Sequence, residues 1–250
     1  MAAMRGTSRA LRAIRINRGA TVFGSAPPPA TAPRWSAVPT PERRSGMSTL
    51  IPPGKTLGEV THVDLLEKEN ADVVVKIWRE YHEGKSGKTG AIVEPRVYDA
   101  LSDRSKVCPM FVMPLHKSMS QYLTLVVQSK MPYVSFTAIE DFRKLQDAAT
   151  PMLVASHYPE LAASKGLALV QAVHVDKTTA GAAEHLTTQE AVRLVRLCHT
   201  FYAEDDLYEK FVKPFNHNQK DFDFDAMVLK VRDLTWSDEH LNAGWGQDAK

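Results

Sequence analysis

Tyr122–Ile139 reads YLTLVVQSKMPYVSFTAI. Two strand-like runs, Tyr122–Gln128 and Tyr133–Ile139, flank the short linker Ser129-Lys-Met-Pro132. Runs rich in Val, Tyr, Phe and Thr at so small a separation predict a β-hairpin, and a hairpin makes its strands antiparallel. Upstream, Met110–Leu115 is an apolar run bounded by Pro109 and His116. Downstream, Met152–Tyr158 ends at Pro159, and Leu167–Val175 carries Val173 and Val175 near its end. Thr150-Pro151 also resembles a helix start, but the run after it reads better as a strand. With Gly90–Glu94 added, about six strands are expected, several in hairpin order, in a largely antiparallel sheet.

Helical patterns bracket these strands. Asn70 is a suitable N-cap, and Val74, Ile77, Trp78 and Tyr81 follow at i, i+3, i+4 and i+7, with Gly84 as the stop. Val60–Lys68 reads as a shorter helix. Pro95 opens another, with Val97, Ala100 and Leu101 on its apolar face. Leu161–Lys165 makes one turn, stopped by Gly166. Thr187-Thr-Gln-Glu190 is a capping box. After it Ala191, Leu194, Val195, Cys198 and Phe201 share a face, with Arg193, Arg196 and His199 away from it. Leu207–Phe215 predicts a helix cut near Pro214, and Phe224, Met227, Val228 and Val231 mark a last one. The expected class is α+β: a sheet flanked by helices, with a helical C-terminal third.

His82–Gly90, HEGKSGKTG, looks like a phosphate cradle. A phosphate-binding loop follows a strand and opens a helix, so that free N–H groups face the anion. Here a helix runs in and a strand runs out, and the helix end presents carbonyls, which repel phosphate. The pattern GxxxxGK[ST] fails as well, because its first glycine would fall on His82. The loop reads as a helix-to-strand turn.

Charge is unevenly placed along the 250 residues. Residues 1–46 hold eight Arg, no Lys and one acid, Glu42, a net of +7; the chain total of +2 leaves −5 for the rest. Arg5, Arg9, Arg12 and Arg15 recur at helical spacing among Leu11, Ile14 and Ile16. An Arg-rich, Ser-rich, acid-poor leader marks an organelle transit peptide, mitochondrial before chloroplast. Pro27, Pro28, Pro29, Pro33, Pro39 and Pro41 make a linker. The expected organisation is 1–46 leader and linker, 48–236 one α+β domain, and 237–250 a mobile polar tail. No stretch approaches the roughly 18 apolar residues of a membrane span, so a soluble protein without stable membrane insertion is expected.

No catalytic constellation emerges. None of the nine His pairs at the spacing of a zinc-binding helix, and Cys108 and Cys198 lack CxxC spacing. Cys198 and His199 are adjacent and diverge by about 100° on a helix, which excludes a nucleophile–base pair. Asp205-Asp206 and Asp221/Asp223/Asp225 lack the Gly and distal Glu of a calcium loop and suit a helix start. No cofactor, metal or catalytic residue is assigned. Nucleic acid is disfavoured as a partner, because phosphate neutralisation needs a basic surface.

Several blocks together carry a resemblance: Ile77-Trp78-Arg79-Glu80-Tyr81, Cys108-Pro109-Met110-Phe111, Val134-Ser-Phe136-Thr137-Ala138, His157-Tyr-Pro-Glu-Leu161 with Lys165-Gly166-Leu167, and Phe201-Tyr202-Ala203 with Phe215-Asn216. In order and spacing, the segment from about Ala71 to Trp236 resembles the family of mitochondrial ATP synthase assembly factors that chaperone the catalytic β subunit. The Gly-rich turn at 84–90 and Thr178–Glu184 look like departures from the family. The resemblance implies a non-enzymatic matrix protein that binds unassembled β subunit, covers its apolar surface and releases it when the α subunit arrives. The candidate contact residues are Trp78, Tyr81, Phe111, Tyr122, Phe136 and Tyr158. The rival expectation is an organellar enzyme with a polar pocket near His157, Glu160 and Lys165.

Overall fold

The computed structural model describes residues 55–85, 87–175 and 186–237. The leader, the Pro-rich linker, Thr178–Glu184 and the tail beyond Ser237 lie outside the described residues. Two single helical turns, α1 (Leu57–Val60) and α2 (Val63–Leu66), precede α3 (Ala71–His82). Then come β1 (Lys88–Val93), α4 (Pro95–Val107), β2 (Met110–His116), β3 (Tyr122–Lys130), β4 (Tyr133–Ala138) and α5 (Ile139–Leu145). β5 (Leu153–Tyr158), the turn α6 (Ala162–Lys165) and β6 (Ala168–His174) complete the sheet. The C-terminal third holds α7 (Thr188–Ala203), α8 (Asp205–Leu207), α9 (Lys213–His217) and α10 (Phe224–Ser237).

The sheet is wholly antiparallel, in the order β1-β6-β5-β4-β3-β2. β2 to β6 form a meander, and β1 joins alongside β6. Because side chains alternate along a strand, the register sorts them onto two faces. Phe111, Val127, Phe136 and Leu153 are neighbours across four strands and are fully buried. They meet α7, where the Phe201 ring lies 5.5 Å from that of Phe111. On the opposite face, Tyr158, Leu169 and Ile92 form a row across β5, β6 and β1. Tyr158 and Leu169 join Leu57, Leu66, Val74, Trp78, Leu161 and Leu167 in a second hydrophobic cluster, against which Ile92 packs.

Two devices close the fold. Arg104 of α4 donates to the carbonyls of Tyr202 (2.8 Å) and Ala203 (3.3 Å), pairs with Asp205 and stacks on the Tyr208 ring. It thereby satisfies the last turn of α7, whose carbonyls have no partner inside the helix. At the outer edge of β2, the Asn216 side chain replaces a missing strand. It accepts from the Met110 N–H (3.3 Å) and donates to the Met110 carbonyl (2.6 Å). Four residues on, Pro114 also faces outward and has no N–H to offer, as suits an edge strand.

α7 begins as expected, with Thr187 and Glu190 exchanging side-chain and backbone bonds at its capping box. Other expectations need correction. Val60–Lys68 is not one helix: α1 ends at Val60, and α2 spans only Val63–Leu66. The β3–β4 strands extend to Lys130 and Tyr133, so only Met131 and Pro132, joined by a cis peptide, form the turn. Ile139 opens α5 rather than ending a strand, an element that the apolar pattern concealed. Asn70 occupies the N-cap position of α3 without a side-chain bond. Pro214 does not cut its helix. A π turn at Tyr208–Val212 precedes it, and this wider turn relieves the clash of the proline ring with a preceding carbonyl.

His199, expected away from the apolar stripe, is buried against β5, its Nε2 2.8 Å from Nε2 of His157. His157 Nδ1–H donates to the Pro132 carbonyl (3.0 Å). Its bare Nε2 therefore accepts from His199 Nε2–H. Burial pushes His157 down to about 4, against the Pro132 bond, which acts the other way. Burial, then the charges of His157 and Arg196, holds His199 well below its ordinary range.

Two outcomes are expected. Asn216→Ala should cost about 1–3 kcal/mol, the usual cost of orphaned polar groups, read as a lower urea midpoint. A depressed histidine pKa stabilises the fold above the unfolded value near 6.5, and that stability fades as pH falls towards about 4. The loss from His157 alone is on the order of 3 kcal/mol. Urea unfolding from pH 7 to 4 should show it, and His199→Gln should flatten the acid limb.

Candidate functional site

α3 carries apolar residues on more of its circumference than one seat can hide. Val74, Trp78 and His82, four residues apart, form the buried side. Trp78 Nε1 donates to the Val170 carbonyl (3.1 Å). His82 Nδ1–H donates to the Trp78 carbonyl (2.8 Å), so its Nε2 accepts from the Gln171 amide (2.9 Å). The Trp78 ring lies 4.5 Å from His82 and 6.1 Å from Tyr158. Burial lowers the His82 pKa, and the Lys85 and Lys88 charges push the same way against the Trp78 bond.

Beneath this ring sits Gly90 of β1. A Cβ there would stand 2.4 Å from His82 Nδ1, closer than any side chain allows. Glycine at 90 thus sets how near α3 comes to the sheet.

The adjoining flank is open. Val73, Ile77 and Tyr81 expose 38%, 39% and 42% of their surface, and Leu65 of α2 exposes 57%. Val73, Ile77 and Tyr81 recur every four residues, so they form one stripe. Lys85 places its Nζ 3.1 Å from the centre of the Tyr81 ring, and Lys76 pairs with Glu80 beside the stripe (3.8 Å). Such a surface offers apolar area and a cation–π contact; its chemistry is adhesion. The sequence reading placed Val74, Ile77, Trp78 and Tyr81 on one face, and the structure divides that face between seat and solvent. It missed Val73 and Leu65, although the run Val73-Val74-Val75 signalled an apolar arc too wide for one seat.

The six candidate contact residues are dispersed. Tyr81 is exposed, while Trp78 and Tyr158 lie together beneath α3. Tyr122 is half-buried, 5.5 Å from His116 and 6.3 Å from Phe224. Phe111 and Phe136 are fully buried in the main core and hold α7 to the sheet.

His157, Glu160 and Lys165, expected to line one polar pocket, do not converge. His157 points at His199. Glu160 accepts from the Leu57 N–H (3.3 Å), and Lys165 donates to the Glu67 carbonyl (2.7 Å). Alternation along β5 explains this, since His157 and Tyr158 must face opposite sides of the sheet. The Gly-rich loop follows the C-terminal end of α3, as the sequence implied, with Gly84 and Gly87 both at φ +71°. Among the described residues, no group of three or more His, Cys, Asp or Glu could hold a metal ion. No helix among them is long and apolar enough to cross a membrane.

The blocks that carry the family resemblance meet one another in the fold. Trp78 packs with Tyr158, Leu161 and Leu167. Tyr202 Oη donates to the Cys108 carbonyl (2.7 Å), and Asn216 clips Met110. Phe111 stacks edge-on against Phe215 at 5.8 Å.

Comparison with known proteins supports the resemblance. The curated mouse (Mus musculus) and human (Homo sapiens) proteins named ATP synthase mitochondrial F1 complex assembly factor 1 are 28% and 27% identical to this chain over 179 residues. Those alignments cover 71% of this chain and 52% of each relative. The Danio rerio protein of the same name is 23% identical over 178 residues, 71% of this chain and 56% of its own. The chain thus spans about half the length of the curated relatives it matches. The family model described as ATP11 protein matches residues 19–228. It takes in part of what the sequence reading assigned to leader and linker, as well as nearly all of the sheet and helices. The chain belongs to the ATP11 protein family.

Proposed function

We propose that this protein is an assembly chaperone of the mitochondrial F1 complex, acting in the matrix. It holds the unassembled catalytic β subunit and yields it to the α subunit. The relatives' shared name, F1 complex assembly factor, supports the assembly role. The Arg-rich leader supports import. The single structural observation that carries the reading is the open apolar flank of α3, Val73, Ile77 and Tyr81.

A subunit made for an obligate ring exposes a large apolar interface while alone, and such interfaces aggregate. A holder must cover that interface, yet less favourably than the true partner, so that assembly displaces it. Exchange of partners supplies the driving force, and no nucleotide need be hydrolysed. A half-exposed apolar stripe suits weak, reversible cover better than a deep pocket. Tyr81 adds a large rigid ring of the kind that anchors protein contacts.

The test is suppression of β-subunit aggregation, followed by light scattering, with the α subunit added afterwards. Ile77→Asp with Tyr81→Ser should weaken capture about tenfold, about 1.4 kcal/mol. Some stability should be lost as well, because both side chains bury more than half of their surface; a cooperative melt shows that the fold persists. Undiminished capture by this variant, or capture of α in place of β, would overturn the reading.

A further inference from the structure

The seat beneath α3 is itself a helix-binding surface. Four of the eight buried members of the second cluster, Leu57, Leu66, Val74 and Trp78, come from the layer α1–α3; the sheet side supplies Tyr158, Leu161, Leu167 and Leu169. Each half is therefore apolar and incomplete alone. The polar contacts across the seat are few and forgiving. The bond from His174 N–H to the Gly87 carbonyl fixes which β1 residues turn towards β6. By alternation, Val170 accepts from Ala91 in the ladder. Removing Trp78 thus leaves no buried acceptor unpaired. Glu67, Ser164 and Lys165 join the layer to α6 at exposed positions, where water replaces them readily. The layer continues into β1 through a loop whose Gly84 and Gly87 take φ values costly for other residues.

We propose that α3 is a placeholder: on client binding it leaves the sheet, and an amphipathic helix of the unassembled F1 β subunit takes its seat. The inference rests on the chaperone reading above and specifies what the site accepts. The occupant is argued from what the seat already holds. That is a helix with apolar residues every four positions, a large aromatic at its middle and a polar group one turn later that meets Gln171. Because α3 is apolar on two sides, its outer flank makes the first contact with the client. Tyr158, once uncovered, then meets the client helix, and the inner stripe of α3, with Trp78, turns to solvent.

The geometry supplies the test. An ideal Cβ at position 90 lies 2.7 Å from His82 Cγ, which is one bond from His82 Cβ. The two Cβ atoms are therefore within about 4 Å, inside the disulfide range. The full chain carrying His82→Cys and Gly90→Cys should capture purified β subunit when reduced and lose at least tenfold in capture when oxidised. Equal capture in the two forms would overturn the inference.

If the reduced variant folds poorly, the unaltered chain decides. The Trp78 indole N–H, identified by its loss in Trp78→Phe, should exchange with solvent much faster once β subunit is added. Retained slow exchange in a formed complex would overturn the placeholder role while leaving the chaperone reading intact. Failure of the unaltered chain to capture β subunit at all would remove that reading, and this inference with it.

Discussion

The row Phe111, Val127, Phe136 and Leu153 is the constraint from which the rest of the structure follows. Four large side chains on four strands share one face only if every hairpin keeps its register. A slip of one residue would turn the whole row to the other side. With the row in place, α7 has a surface to cover, and Phe201 reaches Phe111. The capping box at Thr187 and the Arg104 clamp then fix where α7 begins and ends. The alternate row, Tyr158, Leu169 and Ile92, inevitably faces the other way, so a second helical layer must form there. The two layers are unequal. The one around α7 draws on most of the chain, whereas the one around α3 rests on a small separate cluster.

Much of this was legible in the sequence, for identifiable reasons. The strands declared themselves through runs of Val, Tyr, Phe and Thr between turn residues, and α7 through its four-residue capping box, Thr187 to Glu190. The elements that escaped depend on contacts distant in sequence. Ile139 looks like the end of a strand until Phe142 is seen buried three residues later. His199 looks like a polar surface residue because its partner is His157, 42 positions away. The π turn before Pro214 has no local signature, since proline alone implies a break.

The site was less legible than the fold. Aromatic residues in the family's blocks were natural candidates for contact with a partner, yet Phe111 and Phe136 are core. A single sequence does not tell a ring that binds a neighbour in the same chain from one that binds another chain, because both need the same apolar area. The informative signal was surplus. α3 carries more apolar residues than its seat can cover, and the excess, Val73, Ile77 and Tyr81, is what remains on the surface. Residues of the blocks that suggested the family proved to be contact pairs, Met110 with Asn216 and Cys108 with Tyr202.

The clip at Met110 has a wider consequence. Proteins that handle sticky, unpartnered chains meet extended segments seeking hydrogen bonds, and a sheet margin with vacant donors is a template for them. Asn216 occupies the donor and acceptor of Met110, and Pro114 withholds another donor, so this margin gives a stray strand little to grip. Association along this side is thereby turned towards side chains, which let go, and away from a growing backbone ladder, which does not.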